Sequence, residues 1–282
     1  MSYTKITEEH IEQLISLVGG DYVFYDEEKL EKYSHDETED FKFFPEVVIL
    51  PRKTNEISDV LKFCNQENIP LTPRGAGTGL SGGALPINKG VLLSMERFNQ
   101  ILEIDERNLQ ATVEPGVITQ IFQEAVKEKD LFYPPDPASK GSCFVGGNIA
   151  ENSGGPKAVK YGEIVWTGAN VLKNSTGYNL TQLMVGSEGT LGIVTKVVFR
   201  LLPYPKFDLL MLVPFYSAEK ACEAVADIFK AGVIPSGMEF MERDALIWGS
   251  NHLGDNSITI PENIQAHLLI EVDGNDMDVL YK

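Results

Sequence analysis

The chain has 282 residues, 43% of them hydrophobic and 23% charged, with a net charge of -17. This is the composition of a soluble globular protein with one large or two ordinary domains, and its acidity excludes a nucleic-acid binder, which needs clustered Lys and Arg. No run of eighteen apolar residues and no charged-then-apolar leader is present, so the sequence predicts neither a membrane span nor a signal peptide, and a cytoplasmic location is the expectation.

Thr7 followed by Glu8 and Glu9 reads as a helix start, with Ile11, Leu14, Ile15 and Val18 on one face before Gly19-Gly20 stops it. Leu30 and Tyr33 suggest a second short helix. His35, in the acidic stretch Ser34 to Asp40, reads as a surface histidine. Val47 to Leu50 predicts a strand ended by Pro51, and a helix from Asn55 to Asn65 follows, capped by Thr54 with Ile57, Val60, Leu61 and Cys64 inward. Ile69 to Thr72 is a short strand leading into the run Pro73 to Pro86, P-R-G-A-G-T-G-L-S-G-G-A-L-P.

That run is the centre of the reading. Successive glycines let the backbone turn through positive φ and leave free N–H groups lining a concave anion site. Arg74 stands at its entrance and no carboxylate interrupts it, so a phosphate or pyrophosphate is the expected guest. Gly77 to Gly82 satisfies G-x-G-x-x-G, but Gly83 and Pro86 forbid the helix that a dinucleotide-binding turn requires, and no Gly-Lys-Ser/Thr ends it as in a P-loop. A valine at Gly79 is expected to resist positive φ and to fill the space beside the phosphate.

Strands are expected at Val91–Ser94, Ile101–Ile104 and Gln110–Val113, then a turn at Glu114-Pro115-Gly116 and a helix from Thr119 with Ile121, Phe122, Ala125 and Val126 inward. This alternation indicates an α+β or α/β domain. Leu131 to Gly162 is rich in Gly and Pro yet keeps Phe132, Tyr133, Phe144, Val145 and Ile149, and so reads as an ordered irregular loop lining a site. Strands at Ile164–Val171 and Gly192–Leu201 flank a turn at Gly186–Gly192. Pro203 and Pro205 mark a boundary between domains 1–205 and 206–282. Beyond it a strand at Leu209–Val213, a helix from Ser217 to Gly232 and a strand at Leu268–Val272 begin a β-α-β unit.

Of the 25 glycines, 18 fall between residues 51 and 205. The same stretch carries 15 basic and 15 acidic residues, between flanks with 4 against 13 and 5 against 13, so a dianionic ligand would be least repelled there. Cys64, Cys143 and Cys222 are too far apart for a disulfide framework or a C-x-x-C pair. Cys64 and Cys143 are expected to be buried small residues.

Three segments in order, Pro73–Pro86, Pro134-Pro135-Asp136-Pro137-Ala138-Ser139 leading to Gly146-Gly147-Asn148-Ile149-Ala150-Glu151-Asn152-Ser153-Gly154-Gly155, and Gly186-Ser187-Glu188-Gly189-Thr190-Leu191-Gly192-Ile193-Val194, carry a resemblance to a known family. The sequence resembles the FAD-linked oxidases, of the vanillyl-alcohol-oxidase/PCMH flavoprotein fold, in the branch of glycolate oxidase FAD subunits and D-lactate dehydrogenases. The resemblance implies an α+β architecture: a PCMH-type FAD-binding domain of two α/β subdomains over 1–205, followed by the start of a substrate or cap domain over 206–282. It implies that Arg74, Gly75, Ala76, Gly77, Thr78, Gly79, Ser81 and Gly82 hold the FAD pyrophosphate. Pro135, Asp136, Ser139, Ser142, Gly146, Gly147 and Asn148 would pack around the flavin ring and ribityl chain, with Asn152, Gly154 and Gly155 continuing that wall. Gly192, Ile193 and Val194 would lie on the adenine side, and Glu188 is either part of the site or a structural turn residue. No histidine lies between residues 51 and 205 for covalent attachment, so FAD is expected to be noncovalent.

The implied reaction is oxidation of a 2-hydroxy acid of the glycolate or D-lactate type, with hydride passing to flavin N5 and electrons leaving to a quinone, a cytochrome or a partner subunit. A noncatalytic flavin-binding or assembly subunit is the alternative. Two departures bear on this. The family carries a further strand where Gly162 here meets Glu163, and its members continue beyond Lys282 into the region of their catalytic and metal-binding residues. His252 and His267 match none of these, so no metal site is expected. The chain as it stands is then expected to expose Leu209, Met211, Val213, Leu269 and Val272 on an uncovered sheet face, to associate, and to bind FAD weakly without turnover.

Overall fold

The structure is a computed structural model and describes residues 3–157, 160, 180–254 and 259–281. The chain divides into two compact units. Met1–Tyr133, Ala138–Ser153 and Ile164–Leu202 form the first, and Pro134–Pro137, Gly154–Glu163 and Pro203–Lys282 the second. The strand expected at Ile164–Val171 and the junction at Gly162-Glu163 lie outside the described residues.

In the first unit, α1 (Glu8–Val18) begins where expected, with the Thr7 hydroxyl accepting from His10 N–H, and ends at Gly19 with φ 96°. Then come β1 (Val23–Phe24), α2 (Glu27–Glu31), β2 (Val47–Ile49), α3 (Thr54–Gln66), β3 (Leu71–Arg74) and β4 (Val91–Ser94). The strands form one sheet in the order β1-β2-β4-β3, parallel between β2, β4 and β3. Val47, Val48, Ile49, Val91, Leu92 and Leu93 are all fully buried, as expected of parallel strands covered on both faces. Thr54 is the first helical residue of α3 and not its cap; the Glu56 carboxylate instead accepts from the N–H groups of Arg52 (2.7 Å) and Lys53 (3.2 Å). Leu61, expected inside, is exposed and Phe63 takes the core position, because the buried stripe follows Ile57, Val60 and Cys64. Burial pushes the Cys64 thiol to about 12, so it is an inert packing residue.

The second layer of this unit holds β5 (Ile101–Asp105), β6 (Gln110–Val113), α4 (Thr119–Lys127), β7 (Leu131–Phe132), α5 (Val145–Glu151), α6 (Leu180–Met184), β8 (Val197–Arg200) and β9 (Leu202–Pro203). Strands β5-β6-β8 make an antiparallel sheet around a core centred on Phe122, Tyr133 and Phe199, whose rings pack within 4.8–5.4 Å of one another. Ile121 is exposed, contrary to expectation; α4 turns Phe122 and Val126 inward instead. Regular strand begins only at Val197, so the segment from Gly192 to Lys196 is irregular. Glu114, nearly buried at the end of β6, accepts from Arg52 Nη1 (2.7 Å) and Gln100 N–H (2.9 Å), tying the start of α3 to the second layer.

The second unit contains β10 (Phe207–Phe215), α7 (Ala218–Lys230), β11 (Gly237–Glu242), α8 (Arg243–Leu253), β12 (Ala266–Gly274) and α9 (Met277–Leu280). It is a three-stranded antiparallel sheet in the order β10-β12-β11, more than the single β-α-β unit read from the sequence. The missed strand, β11, alternates Met238, Phe240 with Glu239, Met241, and its half-exposed Phe240 weakens the usual signal. The register pairs Leu209 with Val272, Met211 with Ile270 and Val213 with Leu268, so these share the face packed by Ala221, Ala224, Val225 and Ile228 of α7. Leu269 points to the opposite face. The expected single uncovered face is therefore corrected: α7 covers it at Val213, Leu268 and Ile270, while Met211 stays 44% exposed. On the opposite face Lys157 bonds Glu271 (2.9 Å) and Lys160 pairs with Asp273. Burial opposes the charge on Lys157, but its bond to Glu271 and the nearby Asp273 and Asp136 outweigh that and raise its pKa.

Candidate functional site

The glycine run leaves β3 and crosses the first unit without forming a helix, as Pro86 dictates. Positive φ falls at Gly77 (73°) and Gly82 (77°), not at Gly79. At Gly79 a Cβ would meet the carboxylate of Glu151, whose carbon lies 3.1 Å from that position, and this exposed, flexible side chain would have to swing aside. At Gly83 a Cβ would lie 2.8 Å from Glu188 Oε2.

Arg74 is not at the entrance of the loop but beneath it, 7% exposed. Its Nη2 donates to the His35 carbonyl (2.7 Å), and the guanidinium fills the space under Gly77 that a side chain there would need. Burial lowers its pKa, opposed by the charges of Asp36 and Glu96 and by Tyr33, and it remains a cation. Tyr33, buried beside Glu96, has its hydroxyl pKa raised by burial first and by that carboxylate second. Sequence reasoning placed His35 at the surface, where it is, but missed that its neighbours Ser34 and Asp36 are buried behind the loop. The alternation of polar residues with no apolar partner in Ser34–Thr38 gave no hydrophobic signal to find them.

The opposite wall is α5, a helix where an irregular loop was expected. Gly146 and Gly147 lie inside it, and its formation rests on tertiary partners, not on propensity. Val145 N–H donates to Val117 O (2.9 Å) and Gly146 N–H to Pro115 O (2.8 Å), seating the helix on the Glu114-Pro115-Gly116 turn. Asn148, expected against the flavin, turns into the core and donates to Thr119 Oγ1 (2.8 Å). Thr119 Oγ1 also meets the buried Cys143 Sγ at 3.2 Å, consistent with a packing role for that cysteine. Asn152 ends the helix at φ 57°. The turn at 186–188 then docks on its last carbonyls, Gly186 N–H to Ile149 O (3.0 Å) and Glu188 N–H to Ala150 O (2.9 Å). This docking brings Glu188 beside Glu151.

Between the walls lies a cleft of about 710 Å3, partly open to solvent. Of the residues the sequence singled out, Arg74, Gly75, Gly146, Gly147, Gly192, Ile193 and Val194 line it. Met95, Ala150, Glu151, Met184 and Ser187 also line it and were not in that set, and Glu188, left open between a site and a turn role, lines it too. Ala76 and Ser142 instead line a neighbouring cleft of about 1120 Å3, with Lys32, Asn99 and Phe144. Gly77, Thr78, Gly79, Ser81 and Gly82 complete the loop, while Ser139 accepts at its carbonyl from Ser142 Oγ (3.2 Å). Pro135, Asp136, Gly154 and Gly155 belong to the second unit, where Asp136 N–H donates to Gly154 O (2.9 Å) and Gly155, at φ 81°, packs on the Asp136 carbonyl.

A phosphate-bearing cofactor fits these residues. Arg74 Nη1 is buried with no hydrogen-bond partner among the described residues, which leaves a cationic donor to be satisfied. Gly147 adds a second sign: glycine inside a helix costs roughly 0.5–1 kcal/mol against alanine, yet among the described residues nothing beyond its own helix backbone and chain neighbours lies within 4 Å of where its Cβ would be. The empty volume beside it is space in the cleft that a side chain would fill.

Comparison with known proteins agrees with this geometry. Residues 45–178 match the family described as the FAD binding domain, and residues 204–281 match the C-terminal domain of FAD linked oxidases. Among curated relatives, the glycolate oxidase subunit GlcD of Bacillus subtilis is 42% identical over 95% of this chain and 60% of that protein. A D-lactate dehydrogenase of Anaerostipes hadrus is 36% identical over 99% and 62%. The chain thus spans about 60% of the length of these relatives. Among solved structures, an alkyldihydroxyacetonephosphate synthase aligns with a TM-score of 0.80 at 21% identity, over 100% of this chain and 58% of the other. p-Cresol methylhydroxylase aligns at 0.77 and 17%, over 99% and 64%, and both likenesses speak to the fold. No helix among the described residues is long and apolar enough to cross a membrane.

Proposed function

Because the chain belongs to the FAD-linked oxidase family, we propose that it holds FAD noncovalently in the cleft of the first unit and serves the oxidation of a small 2-hydroxy acid, of the glycolate or D-lactate type, to the 2-oxo acid. The observation that carries the reading is the pairing of the donor Arg74 Nη1, buried without a partner, with the empty space beside Gly147, both within the segment that matches the FAD binding domain. The names of the relatives support the substrate class.

In this reading residues 1–205 are the flavin domain and 206–282 the beginning of the substrate domain. Arg74 stays fixed by the His35 carbonyl and places its charge beneath the loop, where it favours an anion held above by the backbone N–H groups. Gly75 to Gly82 keep their backbone open to the same group, and Gly147 leaves room for close approach. Asn148 and Thr119 hold α5 in register so that this wall does not shift. FAD, when bound, supplies the two-electron acceptor for the hydride that leaves the alcohol carbon as the hydroxyl proton departs. The electrons then pass to a separate acceptor, a quinone, a cytochrome or a partner subunit.

Anaerobic stopped-flow absorbance of the purified protein with a panel of D- and L-2-hydroxy acids tests this. For a protein of the relatives' full length, the expected result is a flavin spectrum that bleaches with at least one acid. Protein that neither retains nor takes up FAD would overturn the reading, and bound flavin that none of the acids bleaches would favour the noncatalytic flavin-binding subunit.

A further inference from the structure

His267 lies in β12, the middle strand of the second unit, 4% exposed, and its Nδ1 is buried without a hydrogen-bond partner among the described residues. It stands opposite Met241 of β11 and Pro214 of β10, so its ring shares a face with Met241 and with the diagonal neighbours Glu239 and Arg243. Glu242 is still extended (φ -72°, ψ 155°), and Arg243 N–H continues the ladder onto the Gln265 carbonyl (2.9 Å), which keeps the Arg243 side chain on the His267 face. Arg243 Nε is likewise buried and unpartnered among the described residues.

No charged group nearby is placed to welcome a proton on the ring. Glu239 is exposed and forms no ion pair with His267, and Glu271, farther along the same face, is engaged by Lys157 (2.9 Å). Glu242 and Asp244 at the start of α8, Glu262 in the loop before β12 and Tyr216 just past β10 are all exposed. From β10 itself the ring meets Pro214 and, next on that face, Leu212. A neutral imidazole leaves one lone pair unmet at Nδ1, whereas a protonated one carries N–H donors on both nitrogens and a charge in a buried position beside a fixed guanidinium. Burial lowers the pKa of His267 below its usual 6.5. The unfolded chain takes its proton at the usual value, so below 6.5 it binds more protons than the folded unit, and stability falls as the pH falls. Above 6.5 the ring is neutral in both states and adds no pH dependence.

Burial also decides which part gives way. β11 is an edge strand in which only Gly237 is buried, and none of the residues of α8 is buried. These two elements reach the apolar core of the unit through Met238 and are otherwise held by six register pairs with β12, against nine for β10. Local opening starts where burial is least. We propose that His267 is a pH-sensitive latch: neutral, it lets Gly237–Leu253 close on β12; protonated, it drives that segment open while β10, β12 and α7 stay folded. The device lies wholly in the second unit and does not depend on flavin.

Hydrogen exchange of the full chain, read by peptide mass spectrometry and corrected for intrinsic rates, tests this between about pH 7.5 and about pH 5.5. Expected is a loss of protection of about tenfold in peptides covering 237–253, the effect of one proton over that range, with no comparable change in peptides from β10. His252, in the last turn of α8, works in the opposite direction, since its protonation favours a helix C-terminus. His267→Gln should flatten the profile. Met241→Glu, which sets a carboxylate directly opposite the ring, should favour the protonated form and reverse the slope. Protection in 237–253 that ignores pH in the wild type, or a loss that survives in His267→Gln, would overturn the proposal. Where His267→Gln does not fold, Met241→Glu decides: an acid-induced loss as large as in wild type would overturn it equally.

Discussion

The loop wall of the cleft, Gly75–Gly83, and the helix wall, Val145–Glu151, are both rich in glycine, yet what each glycine makes room for differs. In the loop the occupants are the chain's own charged groups: the Arg74 guanidinium under Gly77, the Glu151 carboxylate over Gly79 and the Glu188 carboxylate at Gly83. In the helix, Gly146 makes room for Pro115, a rigid neighbour whose carbonyl lies 2.9 Å from the position of an added Cβ, while Gly147 makes room for nothing among the described residues. Glycine content alone therefore does not mark a ligand contact. The informative glycine is one that lines the cleft and whose missing side chain no atom of the described residues replaces, which sets Gly147 apart from Gly249, equally open but away from the cleft.

The sharpest way to break this comparison is at Gly77. Alanine there must adopt φ near 73°, which costs about 1–2 kcal/mol for a residue with a Cβ, and must displace a guanidinium that is buried and bonded to the His35 carbonyl. We expect Gly77→Ala to lower the melting temperature and to lose bound flavin together. A variant that melts like wild type would show that Arg74 moves aside freely and that the loop is not held from below.

Gly146→Ala should cost less, about 1–3 kcal/mol of overpacking against Pro115, partly offset by roughly 0.5–1 kcal/mol of gained helix propensity. Its φ is not in the left-handed region, so the strain is steric alone. Thermal melts of the flavin-free protein should show a drop of about 2–4 °C per kcal/mol for a domain of this size. An unchanged melt would mean that α5 can lift off the Glu114-Pro115-Gly116 turn at no cost.

The same contrast explains what the sequence disclosed. Val47–Ile49 and Val91–Ser94 were readable because these short apolar runs are bounded by Pro51 and by the turn ending at Gly90, too short for helices, and α1 was readable because Thr7 and Gly19 bracket an apolar stripe. The position of the glycine loop was readable as well, from Pro86 and the absence of a following helix. Helix α5 was not, since Gly146 and Gly147 lower its local propensity and the bonds from Val145 and Gly146 to Val117 and Pro115 come from residues distant in sequence. Glu151 was hidden, and the role of Glu188 left open, for a related reason. They meet only because the 186–188 turn caps the carbonyls of Ile149 and Ala150, a contact that no periodicity announces. Arg74 was assigned to the loop entrance because a lone cation beside glycines suggests a phosphate ligand; its burial under Gly77 depends on the His35 carbonyl, 39 residues earlier.

Gly147→Ala is the smallest perturbation and the most discriminating, because fold and ligand should respond with opposite signs. Among the described residues the added methyl meets nothing beyond its own helix within 4 Å, so their packing does not oppose it, and replacing a helical glycine should stabilise the flavin-free protein by roughly 0.5–1 kcal/mol. Yet the methyl projects into the cleft beside Gly75, whose own Cβ position lies 3.6 Å from Gly147 Cα, so the space between the walls narrows at that point. A cofactor that uses the space must then shift or bind more weakly. The expected outcome is a raised melting temperature without flavin and a weakened FAD titration in the same variant. Stabilisation with undiminished FAD affinity would place the cofactor elsewhere in the cleft. Destabilisation would show that the space beside Gly147 is needed by the fold, and the distinction between the two helix glycines would then fail.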